Sequence, residues 1–474
     1  MAAMGREKAG ERRRPERRPH EVDEAVIPAR RRTCAAGHGA DDTPRSRRRS
    51  APVAAAQRPR AARGRDYAVR GSAGRQTATL RMTISILLPT RNRLDYLKLA
   101  VQSVRRQDRG DWQLVISDNC SEEDIAGYLD GLGDARILYT RTERVVPVTE
   151  NWNRALAHSS GEYVIMLGDD DALLGGYLTR MEELITSFHH PDVIYTKALL
   201  FTYPGVDPAH PQGFVMDHGC ADFLDGASAP FVLAPATAHE VARAAMQFRL
   251  RYDFNAQFAL FSRRLIDALR RFGDFYQSAF PDYYSMNAAF LHAQTIVVDP
   301  HPRVVIGVTP KSYGFYTVND KENEGRSFLD AAPASAAIGT NINVGWLSAV
   351  TALESGPAAG FGLRVDHRRY RLVQAAYVYK RFRSGGGTLE DVRAFERTLP
   401  LHERWVYRLF DAGLALVHRA LPQRLKAMLA SRAVAQVGQL PTIAPTLRAG
   451  AFEDILDVCA AGSTAAAAPP AREP

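Results

Sequence analysis

The run Tyr163-Val-Ile-Met-Leu-Gly-Asp169-Asp170-Asp171 constrains this chain more than any other stretch, because an apolar segment opens onto three consecutive carboxylates. A buried strand there delivers a cluster of negative charge to one edge of a sheet. Three adjacent Asp repel one another, and the arrangement persists cheaply only where they are solvated, cap a helix or share a cation. Oxygen ligands on a short loop suit Mg²⁺ or Mn²⁺, which keep positions open for phosphate oxygens. The plainer reading is a surface acidic turn whose Asp residues cap a helix beginning near Leu174.

The order of elements from Met82 onward favours the first reading. Ile84–Leu88 is a short apolar run ending at Pro89, which fits a buried parallel strand, and Leu94, Leu97, Val101 and Val104 recur at helical spacing behind it. Trp112–Ile116, Arg136–Thr140 and Tyr163–Leu167 read as further strands, with helices at Glu122–Leu132 and Glu150–His158 between them. Strands alternating with helices over short loops predict a doubly wound, mostly parallel sheet with helices on both faces. Ligands of such sheets bind beyond the carboxyl ends of the strands. Three of these ends are polar: Pro89 to Arg93, Asp118-Asn119 and Asp169 to Asp171.

Charge divides the chain. Residues 1–81 carry 21 Lys and Arg against 9 Asp and Glu, in runs such as Arg12-Arg13-Arg14, with Tyr67 as the only aromatic. This segment is expected to be disordered, either a basic arm or sequence upstream of a natural start at Met82. The remaining residues hold 40 bases and 43 acids, so the overall charge of +9 does not describe the folded part. One tyrosine offers little for base stacking, and no nucleic-acid partner is expected. Cys34, Cys120, Cys220 and Cys459 are far apart, without metal-ligand spacing, and imply a reducing compartment and a cytoplasmic location. Trp405–Leu421 reads as an amphipathic helix used for core packing, with peripheral membrane contact at the inner face as the second option. Residues 331–460 are expected to form a helical extension and 461–474 a disordered tail.

Taken together, Ser85-Ile-Leu-Leu-Pro-Thr-Arg-Asn-Arg93, Leu114-Val-Ile-Ser-Asp-Asn-Cys-Ser121, Asn151-Trp-Asn-Arg-Ala-Leu156 and Gly161 to Asp171 resemble, in order and spacing, the family 2 glycosyltransferases. The resemblance covers about residues 82–310 and implies a GT-A-type domain over 82–330 and an inverting mechanism. It places Pro89, Thr90 and Arg93 beside the nucleoside of a nucleotide-sugar donor and Asp118 on the base. Asn119, Asn153, Asp169 and Lys311 join them on the donor side. Gly168 stands where many members carry the first Asp of Asp-X-Asp-Asp, so the metal ligand is Asp170 with Asp169 toward the ribose and Asp171 in support, or else the pair Asp169 and Asp171. Mn²⁺ or Mg²⁺ is the implied cofactor. Asp282, after Phe272-Gly-Asp-Phe-Tyr276, stands at the base position, while a helix cap on Tyr283–His292 is the plainer role. Cys120 reads as packing, and Thr295–Asp299 and Val304–Val308 read as two more strands.

The expected activity is transfer of a hexosyl group to a glycan or lipid-linked acceptor in bacterial surface or exopolysaccharide synthesis. A nucleotidyltransferase is the enzymatic alternative, yet Pro89 to Arg93 lacks the glycines of a phosphate loop. A catalytically silent sugar-nucleotide-binding protein is the alternative outside enzymes.

Overall fold

The computed structural model describes residues 83–207, 210–219, 221–312, 341–420 and 452–466. The basic segment, Met82, Tyr313, Tyr316 and residues 467–474 lie outside the described residues.

Continuous apolar runs become the centre of the sheet. β1 (Ile84–Thr90), β2 (Trp112–Asp118), β3 (Ile137–Arg141) and β4 (Tyr163–Met166) pair in parallel in the order β3-β2-β1-β4. Ile86, Leu87, Leu88, Leu114, Val115 and Ile116 are wholly buried. Each contributes roughly 1.5–3 kcal/mol by leaving water, which fixes the strand ends firmly. The intervening helices are α1 (Leu94–Arg105), α2 (Ile125–Leu132) and α3 (Val148–Ala157). α1 buries Leu97, Val101 and Val104, the spacing read from the sequence.

Beyond β4 the sheet becomes mixed. A two-residue strand β5 (Ala172–Leu173) follows the Asp cluster, then α4 (Tyr177–Ser187) and β6 (Val193–Thr202). β7 (Phe214–His218) and β8 (Phe231–Val232) are short antiparallel additions, and α5 (Pro235–Met246) leads to β9 (Ala259–Ser262), which lies antiparallel between β4 and β6. α6 (Arg263–Leu269) and α7 (Pro281–His292) precede β10 (Ile296–Val308), paired in parallel with β6. The two strands expected at 295–308 are therefore one. Pro302 lacks an N–H to donate, and the register shifts on either side of it mark the irregularity that divides the apolar pattern. Most strands point one way, so the doubly wound, mostly parallel expectation holds.

The C-terminal region is helical: α8 (Asn341–Ser355), α9 (His367–Ser384), α10 (Leu389–Arg397), α11 (Leu401–Ala420) and α12 (Ile455–Ala466). Gln76–Pro474 group as one unit, and α12 runs across the boundary expected at residue 460. Ile455 and Val458 of α12 are buried with Ala172, Leu199, Phe201 and Val305, in a second small core behind the Asp cluster. α11 departs from expectation. It rests on α9 and α10 through Tyr407, whereas Trp405 and Leu409, read as core residues, are exposed.

Candidate active site

The parallel register sets three loops side by side. Thr90 lies opposite Asp118, so β1 and β2 end level, while β4 ends at Met166 opposite Leu87, three residues earlier, and the chain after it runs on beside the end of β1 to the Asp cluster. Asn119 N–H donates to the Thr90 carbonyl (2.9 Å) and Leu167 N–H to Leu87 (2.8 Å), which ties the loops at their roots. Asn92 and Cys120 take the left-handed backbone region, at φ 52° and 57°, where the first two loops turn. Asn accepts that conformation readily. Cys does so at a cost of about 1–2 kcal/mol.

A cavity of about 350 Å³ opens over these loops. Pro89, Thr90, Arg93, Asn119, Asp169 and Lys311 line it, six of the residues expected at the donor. Arg93 organises its acidic end. Its guanidinium bridges Asp169 Oδ1 and Asp170 Oδ2, each at 2.6 Å, and donates to the Thr309 hydroxyl at 3.0 Å. Thr90 donates to Asp169 Oδ2 (2.8 Å), and the Ser312 hydroxyl donates to Asp170 Oδ2. Lys311 Nζ reaches the Asn92 carbonyl at 3.3 Å. Burial pushes the Asp169 carboxyl upward, the charge of Asp170 adds to this, and Arg93 opposes it. The same two carboxylates, with Asp171, raise the Arg93 guanidinium despite its burial.

Three expected site residues sit elsewhere. Asp118 is fully buried, with Oδ1 accepting from Ser121 N–H (2.9 Å) and Oδ2 from Tyr139 (2.8 Å) and Arg141. It holds the β2 turn and does not line the cavity. Its neighbour Asn119 lines it instead, pinned by two 2.8 Å bonds to the backbone of Val146. Asn153 clasps the backbone of Tyr276, donating to its carbonyl (2.8 Å) and accepting from its N–H (3.2 Å), so it anchors the segment before α7. Asp171 turns both oxygens to protein donors, Gly307 N–H (2.9 Å) on one and Gly168 N–H (2.9 Å) with Gln257 on the other. It braces the loop from behind.

The departure at Gly168 has a steric cause, for a side chain there would collide with the Asp171 carboxylate. Gly307, which the sequence reading passed over, meets the same loop; a Cβ on it would strike the Asp170 carbonyl. A lone glycine within the valine-rich stretch 304–308 was the available signal. Gln257, Thr309 and Ser312 carried none.

Asp282 lies in the first turn of α7 after Pro281. Phe280 is the N-cap and makes no side-chain cap, so Asp282 is not the capping residue; its Oδ1 accepts from Tyr283 N–H (2.8 Å). Burial pushes its carboxyl up to about 7. It makes no hydrogen bond to the Arg93 cluster. Aromatic contact connects the two: Trp152 lines the cavity and packs edge-to-face on Tyr276 (5.2 Å), and the Asp282 charge helps raise the Tyr276 hydroxyl beyond the effect of burial.

The donor set suits a hard divalent cation held by one or two carboxylates together with phosphate oxygens. Asp170 Oδ1 has no donor among the described residues, whereas Oδ2 is shared by Arg93 and Ser312. No group of three His, Cys, Asp or Glu converges as a cation site among those residues. A cation at Asp170 therefore fits when Arg93 yields Oδ2 and phosphate supplies further oxygens.

Residues 85–211 match the family model described as Glycosyl transferase family 2. Among curated relatives, an Escherichia coli (strain K12) protein named for colanic acid biosynthesis as a glycosyl transferase, WcaA, is 30% identical over 136 residues, 27% of this chain and 49% of that one. The GalNAc(5)-diNAcBac-PP-undecaprenol beta-1,3-glucosyltransferase of Campylobacter jejuni is 34% identical over 111 residues, 23% of this chain and 36% of that one. The chain thus spans between about a third and a half of the length of these relatives. S. aureus TarS 1-349 in complex with UDP-GlcNAc is a distant structural likeness, 14% identical over 76% of this chain and 88% of that one, with a TM-score of 0.40. The matched segment, 85–211, is thus similar to family 2 of the glycosyl transferases. It carries the whole wall formed by β1, β2, β4 and the Asp cluster.

Proposed function

We propose that this chain is a metal-dependent, inverting glycosyltransferase that moves a hexosyl group from a nucleotide sugar to a glycan or lipid-linked acceptor. The observation that carries the reading is the Arg93 bridge. A buried guanidinium spans two carboxylates at the rim of a cavity whose other walls are a backbone loop, an asparagine and Trp152. A nucleoside fits against Pro89, Asn119 and Trp152, with apolar faces for the base and backbone groups for the ribose. The diphosphate falls toward Arg93 and Lys311, which supply charge to it. Asp169, held by Thr90 and Arg93, orients the ribose side.

Asp170 is the residue for Mn²⁺ or Mg²⁺, and the cation, when bound, supplies neutralisation of the departing diphosphate. Asp171 belongs to the brace and is dropped from the ligand set. Asp118 acts through the β2 turn and Asn153 through the segment 273–280. Asp282 is the general base: a carboxyl near pH 7 is half ionised at neutral pH and takes a proton from the acceptor hydroxyl as it attacks the anomeric carbon. Inversion follows from that single displacement. The Campylobacter relative is named for an undecaprenol-linked glycan, which supports a lipid-linked acceptor; action at the inner membrane face from the cytoplasm is the location that goes with this reading. Incubation with a panel of nucleotide sugars and Mn²⁺ tests the reading through released nucleoside diphosphate. Release above background that Asp170→Asn abolishes is the expected result, and no release from any donor contradicts it.

A further inference from the structure

α11 presents an apolar surface that the described residues leave uncovered. Leu401, Trp405 and Leu409 recur every four residues, Val406 and Phe410 lie beside them, and all five are between 54% and 72% exposed. The opposite side of the helix is the packed one. Tyr407 enters the small core with Val392, Phe395 and Leu399, Glu403 pairs with Arg371 at 2.7 Å, and Asp411 pairs with Arg383. Five large apolar side chains exposed together on one helix far exceed scattered surface hydrophobics and mark a contact surface.

Charge identifies what the surface meets. On one flank Arg393, Arg397, Arg404 and Arg408 surround a hollow of about 310 Å³ with Leu401 and Trp405 at its lip. The one acid there, Glu396, is already taken by Arg408 and by the Tyr379 hydroxyl (2.9 Å). On the other flank Arg249, Arg368 and Arg369 share a hollow of about 860 Å³ with His402 and Val406. Its acids are spent too, Asp366 capping α9 through Arg369 N–H (2.9 Å) and Glu403 holding Arg371. Among the described residues no carboxylate lies in ion-pair reach of Arg249, Arg368, Arg393 or Arg404. An apolar ridge between two arginine-rich hollows matches an anionic lipid layer, with acyl chains under the ridge and phosphate headgroups in the hollows. No described helix is long and apolar enough to cross a membrane, so the contact is parallel to the surface.

We propose that α11 docks this protein onto an anionic membrane surface, with Trp405 and Leu409 inserted between headgroups and the flanking arginines bound to lipid phosphates. The inference deepens the reading of a lipid-linked acceptor, and it is tested without donor so that either can fail alone. The full chain is mixed with vesicles of phosphatidylcholine, with or without phosphatidylglycerol, and bound protein is measured by sedimentation; brominated lipids report insertion through quenching of Trp405 fluorescence.

Binding to phosphatidylglycerol vesicles that weakens with salt, with bromine quenching lost in Trp405→Phe, is the expected outcome. Trp405→Glu with Leu409→Glu lowers partitioning at least about tenfold, and Arg393→Glu with Arg404→Glu removes most of the preference for anionic lipid. Trp405, Leu409 and Arg393 are on the surface, Arg404 is half-buried and donates to the Leu399 (2.9 Å) and Arg397 (3.2 Å) carbonyls, and an unchanged melting curve confirms folding. Wild-type protein that ignores anionic vesicles overturns the proposal, as does undiminished binding by the Glu variants. A dimer dissolved by Leu409→Glu, without vesicle binding, also overturns it and assigns the face to a second copy. Nucleotide release in free solution, measured on the same samples, reports the proposed activity separately.

Discussion

Replacing Asp282 with Asn separates a base from a structural aspartate, because the two roles shift stability and turnover in different directions. The carboxyl titrates near pH 7 in the folded chain, pushed up mainly by burial, against an ordinary value of 3.8. The folded state therefore holds its proton where the unfolded state has released it. Asp282 costs nothing in stability below about pH 4, and its penalty grows as pH rises through the interval to about 7. A gap of about three units corresponds to roughly 4 kcal/mol, an upper bound because Asp282 keeps a partly exposed edge. Asn carries no charge and still offers an oxygen to Tyr283 N–H. Urea unfolding should thus show the variant equal to wild type near pH 3 and more stable, by about 1–4 kcal/mol, at pH 8. Turnover should fall about 10²- to 10⁴-fold, while wild-type turnover rises with pH through about 7 as the base ionises. Equal stabilities at both pH values together with turnover within a few-fold of wild type would refute the assignment.

Three further perturbations probe the donor side. Arg93→Ala leaves Asp169 and Asp170 buried without their counter-charge; a loss on the order of 3–5 kcal/mol is expected by thermal melting, with Mn²⁺ raising the melting temperature more than it does in wild type. Asp118→Ala orphans Ser121 N–H and the Tyr139 hydroxyl, so it should cost about 1–3 kcal/mol of stability, seen in denaturant midpoints, and leave the preference among nucleoside bases unchanged. Gly307→Ala forces its Cβ against the Asp170 carbonyl, so nucleotide affinity measured by calorimetry should drop at least about tenfold even in protein that remains folded.

What could be read from the sequence follows the range of the physics. β1, β2 and β4 were legible because buried parallel strands are continuous apolar runs, and their polar ends marked one edge of the sheet. That placed Thr90, Arg93, Asp169 and Asp170 in one neighbourhood before any coordinates. The partition among them was not legible. Asp118 and Asp171 share their chemistry with Asp169 and Asp170, and only the direction of each side chain separates brace from rim. Asn153 was expected on the donor side through the resemblance alone, yet the side chain clasps Tyr276, 123 positions away. Ser312 and Gln257 meet the Asp loop through pairings just as remote. α11 erred differently: its periodicity revealed an apolar face correctly, but periodicity does not say whether protein covers that face.

The central claim is that the cavity over β1, β2 and β4 binds a nucleoside diphosphate against Asp170 and a divalent cation. Titration calorimetry of UDP, GDP, CDP and dTDP into the full chain, with Mn²⁺ and then with EDTA, tests it directly. One nucleotide should bind with Mn²⁺ and lose about tenfold or more in affinity, on the order of 1.4 kcal/mol, both with EDTA and in Asp170→Asn. Binding that is unchanged by EDTA and by Asp170→Asn, or the absence of binding by all four nucleotides, would contradict it.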